Sequence, residues 1–215
     1  MQILMSYKPI LIVSGEPNSI FFEIFFKAIK KKIKSPLVLI ASQELLLLQM
    51  KKFKFSKKIK ILDIKKIENY SLNNKVINLI DIKYSQEKPF EKISKKSNVY
   101  INKSFSVAVE LIKKGFTNKF INGPISKKTF LEKKELGITE YLSQKFNIKN
   151  NAMLIYNQKL SVCPLTTHVP IKFVTKKINK KLIVEKIKLI NSFYKQKLKL
   201  KPRIAVLGLN PHCET

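Results

Sequence analysis

Two histidines, His168 and His212, are the residues of this sequence whose type best suits metal chemistry. His168 lies in residues 166–170 (TTHVP), and His212 follows Asn210-Pro211. Each comes after an apolar, strand-like run and lies beside a proline that restricts the backbone. Imidazole is a common ligand of divalent metals, so rings on neighbouring strand-end loops could converge on one ion. By spacing alone, ordinary loop histidines are the better interpretation, because a catalytic metal usually has three protein ligands and the sequence has no third histidine.

Two turns between strand and helix patterns are candidates for anion binding, and a third turn lacks the glycine pattern of a dinucleotide site. Residues 121–127 (INGPISK) place Ser126 at a helix start, where free N–H groups can face an anion, although a plain capped turn is the better interpretation. In residues 137–140 (GITE), Thr139 either holds a phosphate or caps a helix. Residues 15–20 (GEPNSI) lack the GxGxxG spacing, so they do not support a Rossmann dinucleotide site.

Short apolar runs alternate with amphipathic patterns and must position these turns. The predicted strands are residues 9–14, 36–41, 58–64, 76–82, 119–122 and 203–209, with a short strand pair at 152–156 and 160–163. The predicted helices are residues 19–29, 42–50, 104–114, 139–146 and 180–195. This alternation predicts an α/β fold with a mostly parallel sheet and helices on both faces. Because the pattern restarts after Gly137, we expect a first α/β lobe at residues 1–135 and the start of a second, incomplete α/β lobe at residues 136–215.

The net charge of +29 first suggests a polyanionic partner. Arg203 is the only arginine among the 43 basic residues, however, and the lysines are scattered through every segment. Proteins that recognise nucleic acids usually rely on arginine for bidentate contacts. The composition therefore favours solvated lysine-rich faces over specific nucleic-acid binding. A basic nucleic-acid-binding protein stays an alternative, and a steep salt dependence of affinity for DNA or RNA would favour it.

Cysteine usage and hydropathy predict a cytoplasmic protein. Cys163 and Cys213 form neither a CxxC motif nor a disulfide framework, which is typical of a reducing compartment. The N-terminal region has no signal-peptide pattern. Since no apolar stretch reaches membrane-spanning length, we expect no membrane association.

Five segments, taken in order, resemble the 4-hydroxythreonine-4-phosphate dehydrogenases of vitamin B6 synthesis. They are IVSGEPNSIFFE, INGPISK, GITEYL, PLTTHVP and GLNPHCE. PLTTHVP and the LNPH core of the last segment are specific to that family, and INGPISK is moderately specific. The first segment departs from the family's Asp-Pro-Ala-Gly-Ile-Gly-Pro-Glu type of run and keeps only Gly15, Pro17, Ile20 and Glu23 in register.

The resemblance implies a metal site and a substrate site. The family's metal histidines map onto His168 and His212, and its third ligand lies in a later Tyr-His-Asp-Gln stretch that this sequence lacks. The family's substrate-binding His-Thr pair maps onto Ile138 and Thr139; Thr139 matches, whereas Ile138 cannot hydrogen-bond a phosphate or a hydroxyl. We therefore expect a C-terminally truncated member with an incomplete metal site and weak or absent activity. Catalytic and cofactor-binding residues are left unassigned.

The resemblance also implies a two-lobed fold like that of isocitrate and isopropylmalate dehydrogenases, and a reaction. The reaction is the oxidation, with decarboxylation, of 4-phosphooxy-L-threonine to 3-amino-2-oxopropyl phosphate in pyridoxal phosphate biosynthesis. The implied cofactors are NAD (or NADP) and a divalent metal, either Zn, Mg or Co, which would polarise the substrate hydroxyl. The implied assembly is a homodimer. Another metal-dependent decarboxylating dehydrogenase or a phosphate acyltransferase of similar fold stays an alternative.

Overall fold

The computed structural model describes residues 7–132 and 137–208. The chain divides into two compact units, Met1–Tyr141 and Leu142–Thr215. The first unit contains a parallel sheet with its helices. The described part of the second contains helices and one isolated β bridge.

The sheet of the first unit has five parallel strands in the order β3-β4-β2-β1-β5. The strands are β1 (Ile10–Val13), β2 (Leu37–Ala41), β3 (Ile59–Ile61), β4 (Ile77–Asp81) and β5 (Phe120–Asn122). All five residues of the central strand β2 are buried. Its uninterrupted apolar sequence, LVLIA, is typical of a strand that helices cover on both faces.

Helices α1 (Phe21–Ala28) and α2 (Gln43–Lys52) cover one face of the sheet. The buried side chains of α1 are Phe21, Phe22, Phe25 and Phe26. They pack with Leu39 and Leu79 of the sheet and with Leu45 and Leu46 of α2. Burying one such side chain contributes about 1.5–3 kcal/mol, so this cluster is the main core of the first unit. Ser42 caps α2 as predicted, because its Oγ accepts from the N–H of Leu45 at 3.3 Å.

Helix α3 (Asn98–Lys113) contacts β1 and β2 on the other face of the sheet. Its side chains Ile101, Phe105 and Ala108 are fully buried. The helix begins at Asn98 rather than at the predicted residue 104. Burial of its first turns outweighs the modest helix propensity of the polar residues there. The predicted end is confirmed: Gly115 has a φ of 81°, and the N–H of the residue after it bonds to the carbonyl of Leu111 at 3.1 Å.

The second unit contains α5 (Val174–Lys177) and α6 (Lys180–Phe193), and α4 (Ile138–Phe146) leads into it. The predicted strand pair is reduced to one antiparallel bridge between Ile155 and Val162. Residues 201–208 form no strand, contrary to the prediction of a strand at 203–209. Their backbone has no paired neighbour in the described part of this unit, and Leu207 is 87% exposed.

The α/β class is confirmed, with a parallel sheet and helices on both of its faces in the first unit. None of the helices that the structure describes is long and apolar enough to cross a membrane.

Candidate functional site at the carboxyl edge of the sheet

The carboxyl ends of the parallel strands meet at one edge of the sheet, where ligands bind in open α/β folds. α2 follows β2 on one face, and α3 follows the neighbouring β4 on the other face. The connections therefore change sides between β2 and β4, which is the expected position of a ligand crevice. The residues at the ends of β1, β2 and β4 are Ser14, Ser42 and Asp81.

Tyr100, in the first turn of α3, joins the ends of β1 and β2. It is 3% exposed, and its hydroxyl lies 2.6 Å from Ser14 Oγ and accepts from the N–H of Ser42 at 3.2 Å. Burial raises the pKa of Tyr100 to about 12. The hydroxyl is therefore protonated at neutral pH, so it can donate to Ser14 while it accepts from Ser42. Its ring centroid lies 5.0 Å from that of Tyr84.

Tyr100→Phe is expected to lower the free energy of unfolding by about 2 kcal/mol, because it leaves two buried polar groups without their partner. Denaturant titration followed by circular dichroism measures the change. Tyr156→Phe is the matched control: Tyr156 is 49% exposed, and we expect a change within about 0.5 kcal/mol. Equal changes for the two variants would contradict a structural role for the Tyr100 hydroxyl.

Glu16 is a buried carboxylate without an ion pair among the described residues. It is 2% exposed; Oε2 accepts from Ser97 Oγ at 3.0 Å, and Oε1 accepts from the N–H of Asn18 at 3.2 Å. Such donors offset the cost of burying a carboxyl group. The pKa of Tyr84 is raised, mainly by burial and to a smaller extent by the negative charges of Glu16 and Glu91. The β1–α1 turn is therefore tied through Glu16 to the start of α3.

Gly15 and Gly123 bring the turns after β1 and β5 into direct backbone contact. The N–H of Gly123 donates to the carbonyl of Val13 at 2.7 Å. The N–H of Glu16 donates to the carbonyl of Pro124 at 2.8 Å. A Cβ added to Gly123 would lie 2.1 Å from the Ser14 carbonyl oxygen. Gly15 has a φ of +74°, and a Cβ there would lie 2.3 Å from the Pro124 oxygen. Only residues without a side chain allow this approach.

Asp81, at the end of β4, makes polar contacts across the crevice between β2 and β4. Its Oδ1 accepts from the N–H of Gln43 at 2.8 Å, and its Oδ2 lies 3.0 Å from Lys83 Nζ. The hydrogen bond to Asp81, and then its charge, raises the pKa of Lys83. Ser42 Oγ also donates to the carbonyl of Tyr84 at 2.5 Å. The crevice between these strands is therefore bridged by polar contacts from both sides.

Ser126, in the INGPISK segment, acts as a cap. Its Oγ accepts from the N–H of Thr129 at 3.2 Å, at the start of the five-residue π turn Lys127–Leu131. This contact agrees with the capped-turn interpretation of the segment.

Ile138 and Thr139 lie in the first turn of α4, and both are half-buried. The prediction that Thr139 caps this helix is wrong. The N–H of Tyr141 bonds to the carbonyl of Gly137 at 3.2 Å, so the helical bonding begins before Thr139. Thr139 is the second residue of the helix and lies in its N-terminal turn. The structure thus places both substrate-site candidates at a helix start.

His168 is exposed on a bend of the second unit and has a left-handed backbone with a φ of 54°. Histidine adopts this conformation more often than most residues other than glycine. His212 lies outside the described residues, so the distance between the two imidazoles stays a prediction. Within residues 7–132 and 137–208, the structure brings together no group of three or more His, Cys, Asp or Glu side chains that could hold a metal.

Sequence reasoning misses Tyr100 and Ser97, because the helical pattern is predicted to begin only at residue 104. The signal is present in the spacing of Tyr100, Ile101, Phe105 and Ala108, which is typical of one buried helix face. The pairing of Tyr100 with Ser14 spans 86 residues, so no local pattern predicts it.

Comparison with known sequences gives consistent matches. The family model "Pyridoxal phosphate biosynthetic protein PdxA" matches residues 32–215. A 4-hydroxythreonine-4-phosphate dehydrogenase of Sulfurihydrogenibium sp. is 34% identical over 94% of this chain and 62% of its own length. One from Aquifex aeolicus is 32% identical over 95% of this chain and 63% of its own length. The chain thus spans somewhat less than two thirds of these relatives.

Solved structures match the fold. A 4-hydroxythreonine-4-phosphate dehydrogenase from Burkholderia phymatum superposes with a TM-score of 0.81 at 23% identity, covering 96% of this chain and 64% of that one. One from Klebsiella pneumoniae gives a TM-score of 0.80 at 24% identity, and the match covers 95% of this chain and 65% of that one. With the family-model match and the 34% identical relative, the sequence comparison is decisive. The chain belongs to the PdxA family of pyridoxal phosphate biosynthetic proteins.

Proposed function

We propose that this chain acts in pyridoxal phosphate biosynthesis as an NAD-dependent 4-hydroxythreonine-4-phosphate dehydrogenase. The observation that carries the proposal is the 34% identity, over 94% of the chain, to a relative of that name. Thr139 and His168 lie within the range that the family model matches. Because the chain spans 62% of that relative, its activity has to be measured on the chain itself.

The proposed reaction oxidises the C3 hydroxyl of 4-phosphooxy-L-threonine. The hydroxyl loses its proton and C3 loses a hydride, which leaves a ketone at C3. This ketone lies β to the C1 carboxylate, so the C1–C2 bond breaks, carbon dioxide leaves, and the electron pair passes into an enolate. A proton then returns to C2 and gives 3-amino-2-oxopropyl phosphate. When bound, a divalent metal supplies polarisation of the hydroxyl oxygen, and NAD (or NADP) supplies the hydride acceptor.

His168 and His212 are the side chains that we propose hold the metal. Two imidazoles suit Zn or Co better than Mg, which prefers oxygen ligands. The exposed position of His168 leaves its ring accessible to an ion. Thr139 is proposed to contact the substrate from the first turn of α4, where the helix N-terminus favours a negative charge such as a phosphate. We also propose that the protein is a cytoplasmic homodimer.

Ile138 gives a direct test of the proposed substrate site. Ile138→His is expected to raise kcat/KM about tenfold or more, because a hydrogen bond to a charged group contributes about 1.5–3 kcal/mol. The wild-type chain is expected to form NADH slowly or not at all from 4-phosphooxy-L-threonine with Zn, Co or Mg. Ile24→His is the control, because Ile24 is 52% exposed on α1, and it should leave the rate unchanged.

D-Threonate 4-phosphate is the second substrate to be assayed. A protein from Salmonella typhimurium that is 26% identical to this chain is named for that substrate. The two substrates share the phosphate and the C3 hydroxyl, but the amino acid carries an amine at C2 where the threonate carries a hydroxyl. If kcat/KM is higher for D-threonate 4-phosphate than for 4-phosphooxy-L-threonine, the threonate is the better substrate and replaces the one proposed. No NADH from either substrate, with the wild type or with Ile138→His, would reject the dehydrogenase proposal.

A further inference from the structure

The amino edge of the sheet, opposite the candidate site, carries an open groove of about 550 Å³. The lining residues are Lys30, Lys54, Lys57 and Lys75 together with Ile29, Phe55 and Ser56. These four lysines define what we call the lysine groove. None of the described residues that line it is acidic.

The walls of the lysine groove are fixed by packing and hydrogen bonds. Phe55 stacks on Phe26 of α1 with ring centroids 4.5 Å apart, which holds the segment that carries Lys54 and Lys57. On the other side, the amide of Asn74 donates to the carbonyl of Ser35 at 2.9 Å and fixes the segment before β4, which carries Lys75. The four ammonium groups are therefore carried by ordered backbone rather than by a loose tail.

The charge of the groove is not neutralised within the described part of the chain. The ion pairs there involve Lys27, Lys83, Lys95 and Lys114, none of which lines the groove. Lysines after the C-terminal ends of α1 and α2 complement the helix dipoles, but each dipole is equivalent to only about half a charge. Most of the positive charge around this groove is therefore available to an external anion.

A small cavity of about 20 Å³ adjoins the groove and shares Ile29 and Lys57 with it. It is lined in part by Asn78, which is 1% exposed and whose Oδ1 has no hydrogen-bond partner among residues 7–132 and 137–208. Buried polar atoms are nearly always bonded, so a water molecule in this cavity would satisfy the oxygen, whereas an ionised phosphate chain has no donor to offer it. The cavity is only large enough for a group the size of water, and anything larger must lie in the groove itself.

We propose that the lysine groove binds the phosphate chain of a small polyphosphate, such as a nucleoside triphosphate. A single phosphate group carries about two negative charges, so four lysines match a chain of several phosphates better. Lysine binds phosphate as a point charge, whereas recognition of bases in nucleic acids usually uses arginine, and Arg203 does not line this groove.

The test is calorimetric titration of the full chain with tripolyphosphate and, separately, with ATP at low salt. Replacing Lys30, Lys54, Lys57 and Lys75 together by Gln is expected to lower affinity for both at least about tenfold. The matched control replaces Lys176, Lys177, Lys180 and Lys181 by Gln, four exposed lysines of the second unit. It removes the same charge without altering any residue that lines the groove, and it should change affinity by about twofold or less.

Lys54→Gly separates binding from folding. Lys54 has a φ of 48°, and the N–H of Phe55 bonds to the carbonyl of Met50 at 2.9 Å, so Lys54 occupies the position where a glycine usually ends a helix. The variant is expected to raise the denaturation midpoint while it lowers tripolyphosphate affinity about twofold to threefold. A loss of affinity in this variant therefore cannot be attributed to unfolding.

Three results would overturn the proposal. One is the absence of measurable binding of either ligand at low salt. Another is an equal loss of affinity in the two quadruple variants, which would mean that only net charge matters. The third is tighter binding, per phosphate, of a single-stranded RNA oligonucleotide than of tripolyphosphate, which would assign the groove to nucleic acid. The dehydrogenase assay is independent of all three.

Discussion

Gly123→Ala is expected to lower the free energy of unfolding by at least about 3 kcal/mol, among the larger effects of a single substitution. The new methyl group would lie 2.1 Å from the carbonyl oxygen of Ser14 and 2.7 Å from the ring of Phe21. The ring can rotate away, but the carbonyl belongs to the backbone that leaves β1. Because Ser14 is also held by Tyr100 at 2.6 Å, relief of the clash has to break buried contacts.

Gly115→Ala is the matched control for this prediction. Gly115 has a φ of +81°, and a Cβ there would meet nothing within 4 Å. Its substitution tests backbone conformation alone and is expected to cost about 1–2 kcal/mol. Denaturant titration of both variants gives the difference that is due to the close approach. Equal losses would contradict the contact between the turns after β1 and β5.

This contact gives a physical reason for two of the sequence motifs. Gly15 lies in the GEPNSI turn, which departs from the family's motif, and Gly123 lies in INGPISK. Their segments are separated by more than a hundred residues, yet neighbouring parallel strands deliver them to the same edge of the sheet. A side chain at either glycine would push the two turns apart, so the approach constrains both motifs.

The strands were predictable where burial leaves a local signal. β2 (Leu37–Ala41) is an uninterrupted apolar run between Pro36 and Ser42, and the sequence predicts it at residues 36–41. The run at residues 203–209 has the same character, but residues 203–208 form no strand. Strand propensity describes how well a side chain fits a sheet, whereas the strand itself needs a paired neighbour. Pairing is a tertiary property, and the pattern does not contain it.

The candidate site was predictable only by residue type. Histidine in TTHVP and threonine in GITE stand out in the sequence because they match motifs. Tyr100, Ser14 and Glu16 do not stand out, since their roles depend on burial and on partners far along the chain. Thr139 shows another limit of the sequence: a shift of two residues in the helix start turns an expected cap into a position inside the helix.

His168→Gln is expected to weaken zinc binding by the chain about 100-fold or more. Loss of an outer-shell partner of a metal ligand typically costs about 10–100-fold in affinity, and loss of the ligand itself should cost at least as much. Glutamine keeps the polarity of the side chain but removes the imidazole nitrogens, and the exposed position of His168 makes a folding defect unexpected. Titration with Zn against a competing chelator measures the change.

Cys163→Ser is the control, because a thiolate is the other strong zinc ligand near His168 in the sequence. Cys163 is half-buried, and burial raises the pKa of its thiol, with the charge of Lys186 opposing the shift. The thiolate is the form that binds metal, so a raised pKa makes the thiol of Cys163 harder to deprotonate on metal binding. Its replacement should leave zinc affinity unchanged. A loss as large as that of His168→Gln would assign the ion to the cysteine.

A double-mutant cycle with His212→Gln tests whether the two histidines hold one ion. If they share it, each single variant already loses most of the affinity, and the double variant should lose little more than either one. If they bind separate ions, the wild type should bind two equivalents, and each single variant should remove one while leaving the other unchanged. The first result would support a shared site for His168 and His212. The second would show that two matching motifs need not form one metal centre.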